Sequence, residues 1–538
     1  MSYFTLEKLP FAETGVLSPT VLEYIRKGSQ LSALIEFEDT IEGFNQIIKK
    51  NPTFRGNREK LRNVLIDQYK ASKIDLNDKV SENIKSLTSL NTFTVTTGHQ
   101  LNILSGPLYV FYKLVSTINL AEQLRLKFPS HNFIPIYWMA SEDHDIEEIN
   151  HINLFGKRPA FETLYAGPTG RLPISETTKA INEIIELLGQ STHAEELKKV
   201  IQESYLGTTN LSDATRKWVN YFFEKYGLVI LDANERTFKE SFAPIIKKEL
   251  LQSFIKQETE KAIKILKNNF HIQVNPRDIN LFYLHNNLRN RIVKVGNHFE
   301  VLNSTIRFTE EEIEAEVVSY PEKFSPNVLL RPLYQQWILP NIANIGGPAE
   351  LEYWLELKPA FDATHIQMPI LMLRNSALII DKTINTKWNK FGFTTNDFFL
   401  DENELAKKHV SSGKLKDFDI LLFQNKIISE FDKLIEQVSN IDITLKASFE
   451  SEKHKLLNSL KSLEEKVIRT VKKKEETELN QIYKIKEKLF PQKNLQERID
   501  SVLPYYLKEG MEFIELLKKS FDPFDPSFLV FKEDESNS

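Results

Sequence analysis

Hydrophobic positions follow two different periods along the first two thirds of the chain. Residues 93–97 and 133–140 are short runs of β-branched, aromatic and other apolar residues, which predict buried strands. Between them, over 108–128, apolar residues recur every three or four positions, which predicts a helix. Further strands are predicted within 227–233 and 365–374. A strand, a helix and another strand in this order are typical of an α/β fold with a parallel sheet.

Two segments interrupt this core pattern. Residues from about 156 to 225 have a mostly helical pattern. Within the segment from about 235 to 323, the pattern turns to short strands, and Thr309 with Glu312 predicts a capping box that begins a helix. We therefore predict a core over residues 1–380 that carries these two segments as insertions.

The pattern changes again after about residue 380. Apolar residues step by three and four from Phe431 to Phe449 and from Leu456 to Val467, among many charged residues. A repeat near 3.5 residues indicates an α-helical coiled coil, either as a hairpin within the chain or as a pair between chains. A long solvated helix is the alternative. We assign 381–500 to this domain and 501–538 to a C-terminal helix and tail.

Composition narrows the classes of protein. The 538 residues are 41% hydrophobic, which suffices for more than one structural unit. The 69 Lys and Arg residues nearly balance the 74 Asp and Glu residues, so nothing indicates nucleic acid or an anionic membrane surface as a partner. Neither a secretory signal nor an apolar stretch of about 20 residues occurs, which favours a cytoplasmic protein. The absence of Cys excludes disulfides, Cys-ligated metals and a Cys nucleophile.

Polar residues follow two of the predicted strands. Gly98, His99 and Gln100 come after the first strand, and Asp143 and His144 come shortly after the second. Open parallel sheets bind ligands at the carboxyl ends of their strands. We therefore expect both loops to point into one crevice, and this convergence is the clearest sign of a functional site.

The loop after the first strand has features of an anion site. Ser105, Gly106 and Pro107 predict a helix start, with Ser105 as the cap. Free N–H groups at a helix N-terminus favour phosphate or carboxylate, and Lys113 further along could add positive charge. The alternative is that Gly106 and Pro107 only shape a tight turn and that Lys113 is exposed.

The loop after the second strand is dense in acidic and histidine residues. Asp143 and His144 could form an acid/base pair in which the carboxylate orients the imidazole. If a helix begins here, His144, Glu147, Glu148 and His151 could instead bind a divalent cation. A third reading is a solvated helix start whose acidic residues compensate the helix dipole.

A third polar set occurs between residues 324 and 354. It combines a guanidinium, an amide and a Gly-Gly turn that would let backbone approach a ligand. Its members are Arg331, Gln335, Gly346, Gly347, Glu350 and Tyr353. Either they line the same pocket, or Arg331 is a structural partner of Glu350.

At these motifs the chain resembles the bacillithiol biosynthesis cysteine-adding enzymes, the BshC family. The segments that carry the resemblance are TTGHQLNILSGPLYVFYK (96–113), IPIYWMASEDHDIEEINH (134–151), FSPNVLLRPLYQQWILPNIANIGGPAELEYW (324–354), MPILMLR (368–374) and LFPQKNLQER (489–498). The resemblance implies a Rossmann-like parallel-sheet core related to class I nucleotidyltransferases, and a C-terminal coiled coil that mediates homodimerisation. It also implies the last step of bacillithiol biosynthesis, in which L-cysteine is joined to glucosaminyl malate.

Forming that amide from a free carboxylate requires activation, and the relatives of the family imply an acyl-adenylate made from ATP. The chain departs from class I synthetases, because GHQ at 98–100 stands in place of a His-x-Gly-His signature and no Lys-Met-Ser-Lys-Ser loop occurs. It also lacks the Gly-x-x-x-x-Gly-Lys-Ser/Thr and Gly-x-Gly-x-x-Gly phosphate-binding motifs. The sequence does not specify a divalent metal.

Motifs and resemblance together give a set of expected site residues. We expect catalytic roles for Lys113, His99, Asp143 and His144, with the last two positioning and deprotonating the amine. Expected substrate or nucleotide contacts are Gly98, Gln100, Gly106, Pro107, Tyr109, Asp145, Asn150, Arg331, Gln335, Gly346, Gly347, Glu350, Tyr353, Arg374, Gln496 and Arg498. Two alternative functions stay open: a metal-dependent hydrolase or deacetylase using His144, Glu147 and His151, and a noncatalytic coiled-coil scaffold.

Overall fold

The computed structural model describes residues 4–50, 54–285, 287–412 and 420–534. Contacts divide them into two compact units, of which the first comprises 8–377 and 497–529 and the second comprises 4–7, 378–496 and 530–534. Most of the segment from 501 onward, which we predicted as a separate C-terminal part, is thus within the first unit. The end of the predicted tail, 535–538, lies outside the described residues.

The strands are numbered in chain order. They are β1 (Phe4–Pro10), β2 (Thr92–His99), β3 (Asn132–Met139), β4 (Val229–Asp232), β5 (Leu281–His285), β6 (Leu288–Val295), β7 (His298–Val301), β8 (Arg307–Phe308), β9 (Phe324–Pro326), β10 (Asn341–Gly346), β11 (Ile370–Leu373), β12 (Ser376–Ile380) and β13 (Ser527–Glu533).

Helices account for most of the remaining regular structure. Those of the first unit are Phe11–Thr14, Pro19–Ile25, Ile41–Lys50, Arg58–Ala71, Asp78–Ser86, Tyr109–Lys127, Ile146–Ile149, Thr178–Leu187, Thr192–Ile201, Leu211–Phe223, Arg236–Gln252, Phe254–Leu266, Glu310–Ser319, Arg331–Ile338, Pro348–Leu355, Lys358–Thr364, Leu503–Glu509 and Met511–Ser520. Those of the second unit are Lys382–Lys390, Glu402–Ser412, Ile420–Ile441, Lys446–Lys474 and Glu476–Leu489. The short helix Gln496–Ile499 begins in the second unit and ends in the first.

Five strands of the first unit form a parallel sheet in the order β11-β10-β2-β3-β4. The chain runs from β2 outward to β3 and β4, and it returns later to β10 on the other side of β2. The strand order therefore reverses between β2 and β10, which leaves a crevice at the carboxyl ends of these two strands. The predicted α/β fold with a parallel sheet is confirmed.

The central strands are buried on both faces. Every residue of β3 except Asn132 is buried, as are the first six residues of β2. Strands covered on both sides favour apolar and β-branched side chains, which explains the apolar run of β3 and the alternation of threonine with Phe93 and Val95 in β2. The helix Tyr109–Lys127 packs against both strands and contributes Leu120 and Leu124 to the same core cluster as Phe93 and Phe133.

The predicted capping role of Ser105 is wrong. The helix begins at Tyr109 without a side-chain cap, and the Ser105 hydroxyl instead accepts a hydrogen bond from Trp218. The acidic segment forms only one helical turn, Ile146–Ile149, so it does not present the side chains of a longer helix.

Strand β10 was not predicted, because its sequence NIANIG contains Asn and Gly, which are depleted in strands.

The segment predicted as a second insertion contributes four strands to an antiparallel sheet in the order β8-β7-β6-β5-β9, and β9 follows directly after it. The predicted capping box is present, since Thr309 and Glu312 exchange side-chain and backbone hydrogen bonds at the start of Glu310–Ser319. Strand β6 of this sheet carries Arg289.

The second unit is mainly helical. Helices Ile420–Ile441 and Lys446–Lys474 pack together as a hairpin, across which Lys453 contacts Asp432 at 2.6 Å. The predicted helical coiled-coil domain is confirmed, whereas homodimerisation through it stays a prediction. Strands β1, β13 and β12 form a sheet in that order, and the division between the units falls within each of these strands. No helix of the described ranges combines the length and apolar character needed to cross a membrane.

Candidate functional site

A cavity of about 320 Å³ lies at the carboxyl ends of the parallel strands. All five strands contribute residues that lie at or just beyond their ends. These are Gly98, His99 and Gln100 at the end of β2, Met139 to Asp143 at the end of β3, Ala233 and Asn234 after β4, Gly347 to Glu350 after β10, and Arg374 after β11. The two loops that we expected to converge do so, because Gln100 Nε2 donates to Asp143 Oδ2 at 3.0 Å.

Lys113 supplies a buried positive charge to this cavity. It lies on the helix Tyr109–Lys127 with 2% of its surface exposed. Its Nζ donates to the Gly98 carbonyl at 2.5 Å and lies 2.7 Å from Glu350 Oε2. Burial lowers the pKa of Lys113, and the charge of Glu350 partly opposes that shift. Lys113 is therefore not exposed, which excludes the alternative of a solvated lysine.

Arg331 brings a second positive charge to the cavity, and its hydrogen-bond partners are uncharged. Its guanidinium donates to Gln335 Oε1 at 2.9 Å and to the Tyr353 hydroxyl at 3.1 Å, and both partners are neutral. The guanidinium also lies over the Trp138 ring, 5.9 Å from its centre. A half-buried arginine that is held by neutral groups can form an ion pair with a carboxylate or phosphate of a ligand. The predicted alternative, that Arg331 pairs with Glu350, is wrong because Glu350 pairs with Lys113.

Arg374 and Arg498 complete the basic side of the cavity. Arg374 is buried and pairs with the buried Glu497 at 2.6 Å, while its Nε has no hydrogen-bond partner among the described residues. Its guanidinium lies 5.3 Å from the centre of the Tyr109 ring. Arg498 is exposed, so its side chain is available to a ligand at the rim.

His99 is a neutral group in this basic environment. Burial lowers its pKa well below the ordinary value, and the charges of Lys113 and Arg374 lower it further. Its Nε2 is buried without a hydrogen-bond partner within the described part of the chain. Its ring packs at 5.2 Å from that of Tyr109. His99 can thus offer one polar nitrogen to a ligand, but it does not carry charge at neutral pH.

The cavity also has an acidic side, which is organised around Asp143. Asp143 Oδ1 accepts from the His144 backbone N–H at 2.8 Å and from Arg289 at 3.3 Å. Burial alone would raise the pKa of Asp143, but the charge of Arg289 and the hydrogen bond from the His144 backbone N–H lower it overall. Desolvation and the carboxylates of Asp145 and Asp143 raise the pKa of Glu148, which also accepts from Gln100 at 2.8 Å.

Arg289 fixes the histidine that follows Asp143. Its Nη1 lies 2.9 Å from His144 Nδ1, so it donates to that nitrogen and leaves the proton of a neutral imidazole on Nε2. It also donates to Ser325 and to the Pro326 carbonyl, and it lies 3.9 Å from the centre of the Phe282 ring. Sequence reasoning missed Arg289 because it lies on an antiparallel hairpin far along the chain, where no local motif marks it.

Several predicted contact residues do not line the cavity. Asp145 caps the helix Ile146–Ile149, and Asn150 bonds the His151 ring. Gln335 accepts a hydrogen bond from Arg331. Gln496, in the second unit, bonds the backbone N–H and carbonyl of Ile379 through its side-chain amide. His144 and Gly346 also lie outside the lining.

The predicted anion site at the helix start is wrong. Gly106 and Pro107 do not line the cavity. The N–H of Leu108 donates to the Asp500 carbonyl at 2.8 Å, and that of Val110 donates to the Pro107 carbonyl at 3.1 Å. Backbone donors that are already paired do not hold a ligand, so the positive charge of the cavity comes from side chains. Gly106 instead shapes a turn, at a φ of 57° that favours glycine.

The predicted alternative of a metal centre lacks the required geometry. Within the described ranges, no group of three or more His, Asp or Glu side chains is placed to hold a metal ion. His151 is turned toward Arg158, whose Nη2 lies 3.2 Å from His151 Nε2. A cation next to the imidazole opposes metal binding, so His144, Glu147 and His151 do not form a metal site.

Comparisons with known proteins agree with this architecture. The family model "Bacillithiol biosynthesis BshC, N-terminal Rossmann-like domain" matches residues 4–375, and "Bacillithiol biosynthesis BshC, C-terminal coiled-coil domain" matches 377–533. A relation to class I nucleotidyltransferases stays a prediction.

Relatives match over nearly their whole length. A protein from Flavobacterium johnsoniae named "Putative cysteine ligase BshC" is 38% identical over 97% of this chain and 98% of its own. Proteins of the same name from Flavobacterium psychrophilum and Christiangramia forsetii are 38% and 39% identical, each over 97% of this chain, and over 99% and 98% of their own chains. The chain belongs to the bacillithiol biosynthesis BshC family.

Proposed function

We propose that this protein is the cysteine ligase of bacillithiol biosynthesis, which joins the carboxylate of L-cysteine to the amine of glucosaminyl malate in the last step. The observation that carries the proposal is the division of one cavity into a basic side and an acidic side. Lys113 and Arg331 lie on the basic side, and Asp143 and Glu148 lie on the acidic side. Both reactants combine an amine with carboxylate, so a cavity of this kind can orient both.

The basic side suits the carboxylate that is activated. Negative charge develops on the carbonyl oxygen when an amine attacks an activated carboxylate, and fixed positive groups stabilise that charge in a site that excludes water. Lys113 is buried and held at two points, which makes it the fixed group of this side. Arg331, with neutral partners only, would bind a carboxylate of glucosaminyl malate.

The acidic side suits the amine. An ammonium ion must lose a proton before it can attack, and a carboxylate that stays ionised can hold the ammonium and receive its proton, directly or through a neighbour. The lowered pKa of Asp143 keeps it ionised at neutral pH. His144 holds this carboxylate in place, because its backbone N–H donates to Asp143 Oδ1 at 2.8 Å. Asp143 itself is the group that receives the proton and releases it to solvent.

ATP is the expected source of activation, since an amide does not form from a free carboxylate at a useful rate. Its phosphates would require positive side chains, and four of these line the cavity, namely Lys113, Arg331, Arg374 and Arg498. The residues present therefore fit an anionic co-substrate, although no phosphate-binding loop occurs in the sequence.

The direct test is product formation by the purified protein. We expect a compound with the mass of bacillithiol when L-cysteine, glucosaminyl malate and ATP with Mg²⁺ are supplied together, and none when any of the first three is omitted. Hydrolysis of glucosaminyl malate without cysteine, or no product under any activating condition, would contradict the proposal. The first outcome would favour a hydrolase and the second a noncatalytic protein.

Arg331→Lys tests the basic side. Lysine keeps the charge but cannot reproduce the planar pair of hydrogen bonds to Gln335 and Tyr353 or a bidentate bond to a carboxylate. We expect kcat/KM for glucosaminyl malate to fall about 10- to 100-fold, mainly through KM, on the scale of one lost charged hydrogen bond. Arg55→Lys, at an exposed position outside the cavity, is the matched control. An unchanged KM in the Arg331 variant would remove this residue from the binding site.

A further inference from the structure

A second cavity adjoins the first at the carboxyl end of β4. It has a volume of about 410 Å³ and shares Asn234 with the first cavity. Ser141, which lines the first cavity, donates a hydrogen bond to Asp232, which lines the second. The two cavities are therefore neighbours around one strand end.

The lining of the second cavity is polar throughout, apart from Ala71 and Gly170. It brings acceptors and donors together, including Gln68, Asn210, Asp213, Arg216, Asp232 and Glu235. The first cavity differs in this respect, because Trp138, Met139 and Val328 line part of it. A lining of carboxylates, amides and guanidinium groups matches a ligand that carries several hydroxyl groups, since each hydroxyl both donates and accepts.

Two polar atoms at this cavity lack partners among the described residues. Arg216 is 3% exposed, and it donates through its two terminal nitrogens to Ile230 and Gln68 while its Nε makes no hydrogen bond. Asn234 Oδ1 is likewise buried without a partner. A buried polar atom left unpaired costs about 1–3 kcal/mol. One unpaired donor and one unpaired acceptor at the same cavity are the complement of a bound hydroxyl group.

The second cavity is also tied to the loop that carries Asp143. In the turn Thr169–Arg171, the Thr169 N–H donates to the Asp143 carbonyl at 2.6 Å and the Gly170 N–H donates to the Ser141 carbonyl at 2.8 Å. Any Cβ at Gly170 would lie 2.6 Å from Ser141 Cβ, which is fixed to the backbone, so the close approach of this turn requires glycine. The rim of the second cavity is thereby fixed relative to the proposed base.

We propose that the second cavity binds the hydroxyl groups of the sugar ring of glucosaminyl malate while the ring's amine lies beside Asp143. The inference rests on the proposed function. It adds that the protein recognises its acceptor as a carbohydrate and not only as an amine with carboxylates. Because the amine of glucosamine is bonded directly to the ring, a ring whose amine reaches Asp143 has its hydroxyls within a few ångströms of that carboxylate. The second cavity provides space for these hydroxyls.

The test uses two variants of the full-length protein that act on the second cavity alone. Ala71→Phe fills the cavity from the exposed end of the helix Arg58–Ala71, and Arg171→Ala removes an exposed donor from its rim. Ala315→Phe, on an exposed face of another helix and outside both cavities, is the matched control. Calorimetry would give the Kd of each protein for glucosaminyl malate, malate and L-cysteine.

We expect Ala71→Phe to weaken glucosaminyl malate binding about tenfold or more, on the scale of one or two lost hydrogen bonds, and Arg171→Ala to weaken it less. Neither variant should change the Kd for malate or cysteine. Equal Kd values for glucosaminyl malate in the wild type, Ala71→Phe and Ala315→Phe would overturn the sugar site and leave the ligase proposal intact. If the wild type bound no glucosaminyl malate, the ligase proposal would fail. Saturation-transfer NMR with glucosamine would then decide the sugar site: a signal lost in Ala71→Phe would support it, and no signal, or an equal one, would overturn it.

Discussion

Lys113→Met is expected to lower kcat for bacillithiol formation about 10²- to 10³-fold, the usual loss when one fixed electrostatic donor is removed from a site where charge develops. Methionine fills much of the same volume but leaves the Gly98 carbonyl and Glu350 without their cationic partner. We also expect the free energy of unfolding to fall by about 1–3 kcal/mol, because Glu350 loses its partner. Steady-state kinetics and urea unfolding measure the two effects separately.

The matched control is Lys518→Met. Lys518 forms an ion pair with Glu122, and Glu122 lies on the same helix as Lys113. The Lys518 side chain is also largely buried, but it does not line the cavity. We expect Lys518→Met to lose stability while its kcat per folded molecule stays that of the wild type. Equal kcat values for the folded Lys113 and Lys518 variants would show that Lys113 has only a structural role.

Asp143→Asn is expected to lower kcat about 10²- to 10³-fold at pH 7, within the usual contribution of a positioned acid or base. Asparagine is nearly the same size and can still accept a hydrogen bond from Arg289, but it cannot take up a proton from the amine. The Kd for L-cysteine should change little, because the activated carboxylate lies on the basic side. Single-turnover kinetics with preformed complexes would separate the chemical step from binding.

The pH dependence provides a second check on Asp143. Its pKa is lowered overall, so its carboxylate stays ionised until the pH falls below the ordinary range of an aspartate. Activity that depends on this carboxylate should therefore persist into mildly acidic solution in the wild type. Asp278→Asn, on an exposed aspartate paired with Lys256, is the control for loss of charge alone. A kcat for Asp143→Asn equal to that of Asp278→Asn would exclude Asp143 as the base.

Those parts of the fold with a strong local pattern were predictable. Strands β2 and β3 are rich in β-branched and aromatic residues because they are buried on both faces. The helix between them is apolar over much of its surface because it packs against both strands. Strand β10 was not predictable from its own residues. Asn341 is satisfied there by Thr94, Thr96 and Gln336, so the surrounding structure compensates a residue that is poor in strands.

The site was predictable where residues follow the ends of strands and unpredictable where distant segments meet. Gln100 and Asp143 follow consecutive strands, and the topology of a parallel sheet brings them together. Arg289 and Asn234 reach the same region from an antiparallel hairpin and from the end of β4, and neither belongs to a motif. We expected Gly106 and Pro107 at the site because the N–H groups at a helix start are often available to a ligand. Here the N–H of Leu108 instead donates to the Asp500 carbonyl.

The most direct test of the proposed reaction follows the oxygen atoms of cysteine. L-cysteine labelled with ¹⁸O in both carboxylate oxygens would be incubated with glucosaminyl malate, ATP and the protein, and the products would be analysed by mass spectrometry. If the carboxylate is activated by transfer of a phosphoryl or adenylyl group, one ¹⁸O passes to phosphate or AMP for each amide formed, and the other stays in the amide carbonyl. Amide formation with no ¹⁸O in phosphate or AMP would contradict an activated carboxylate in this cavity.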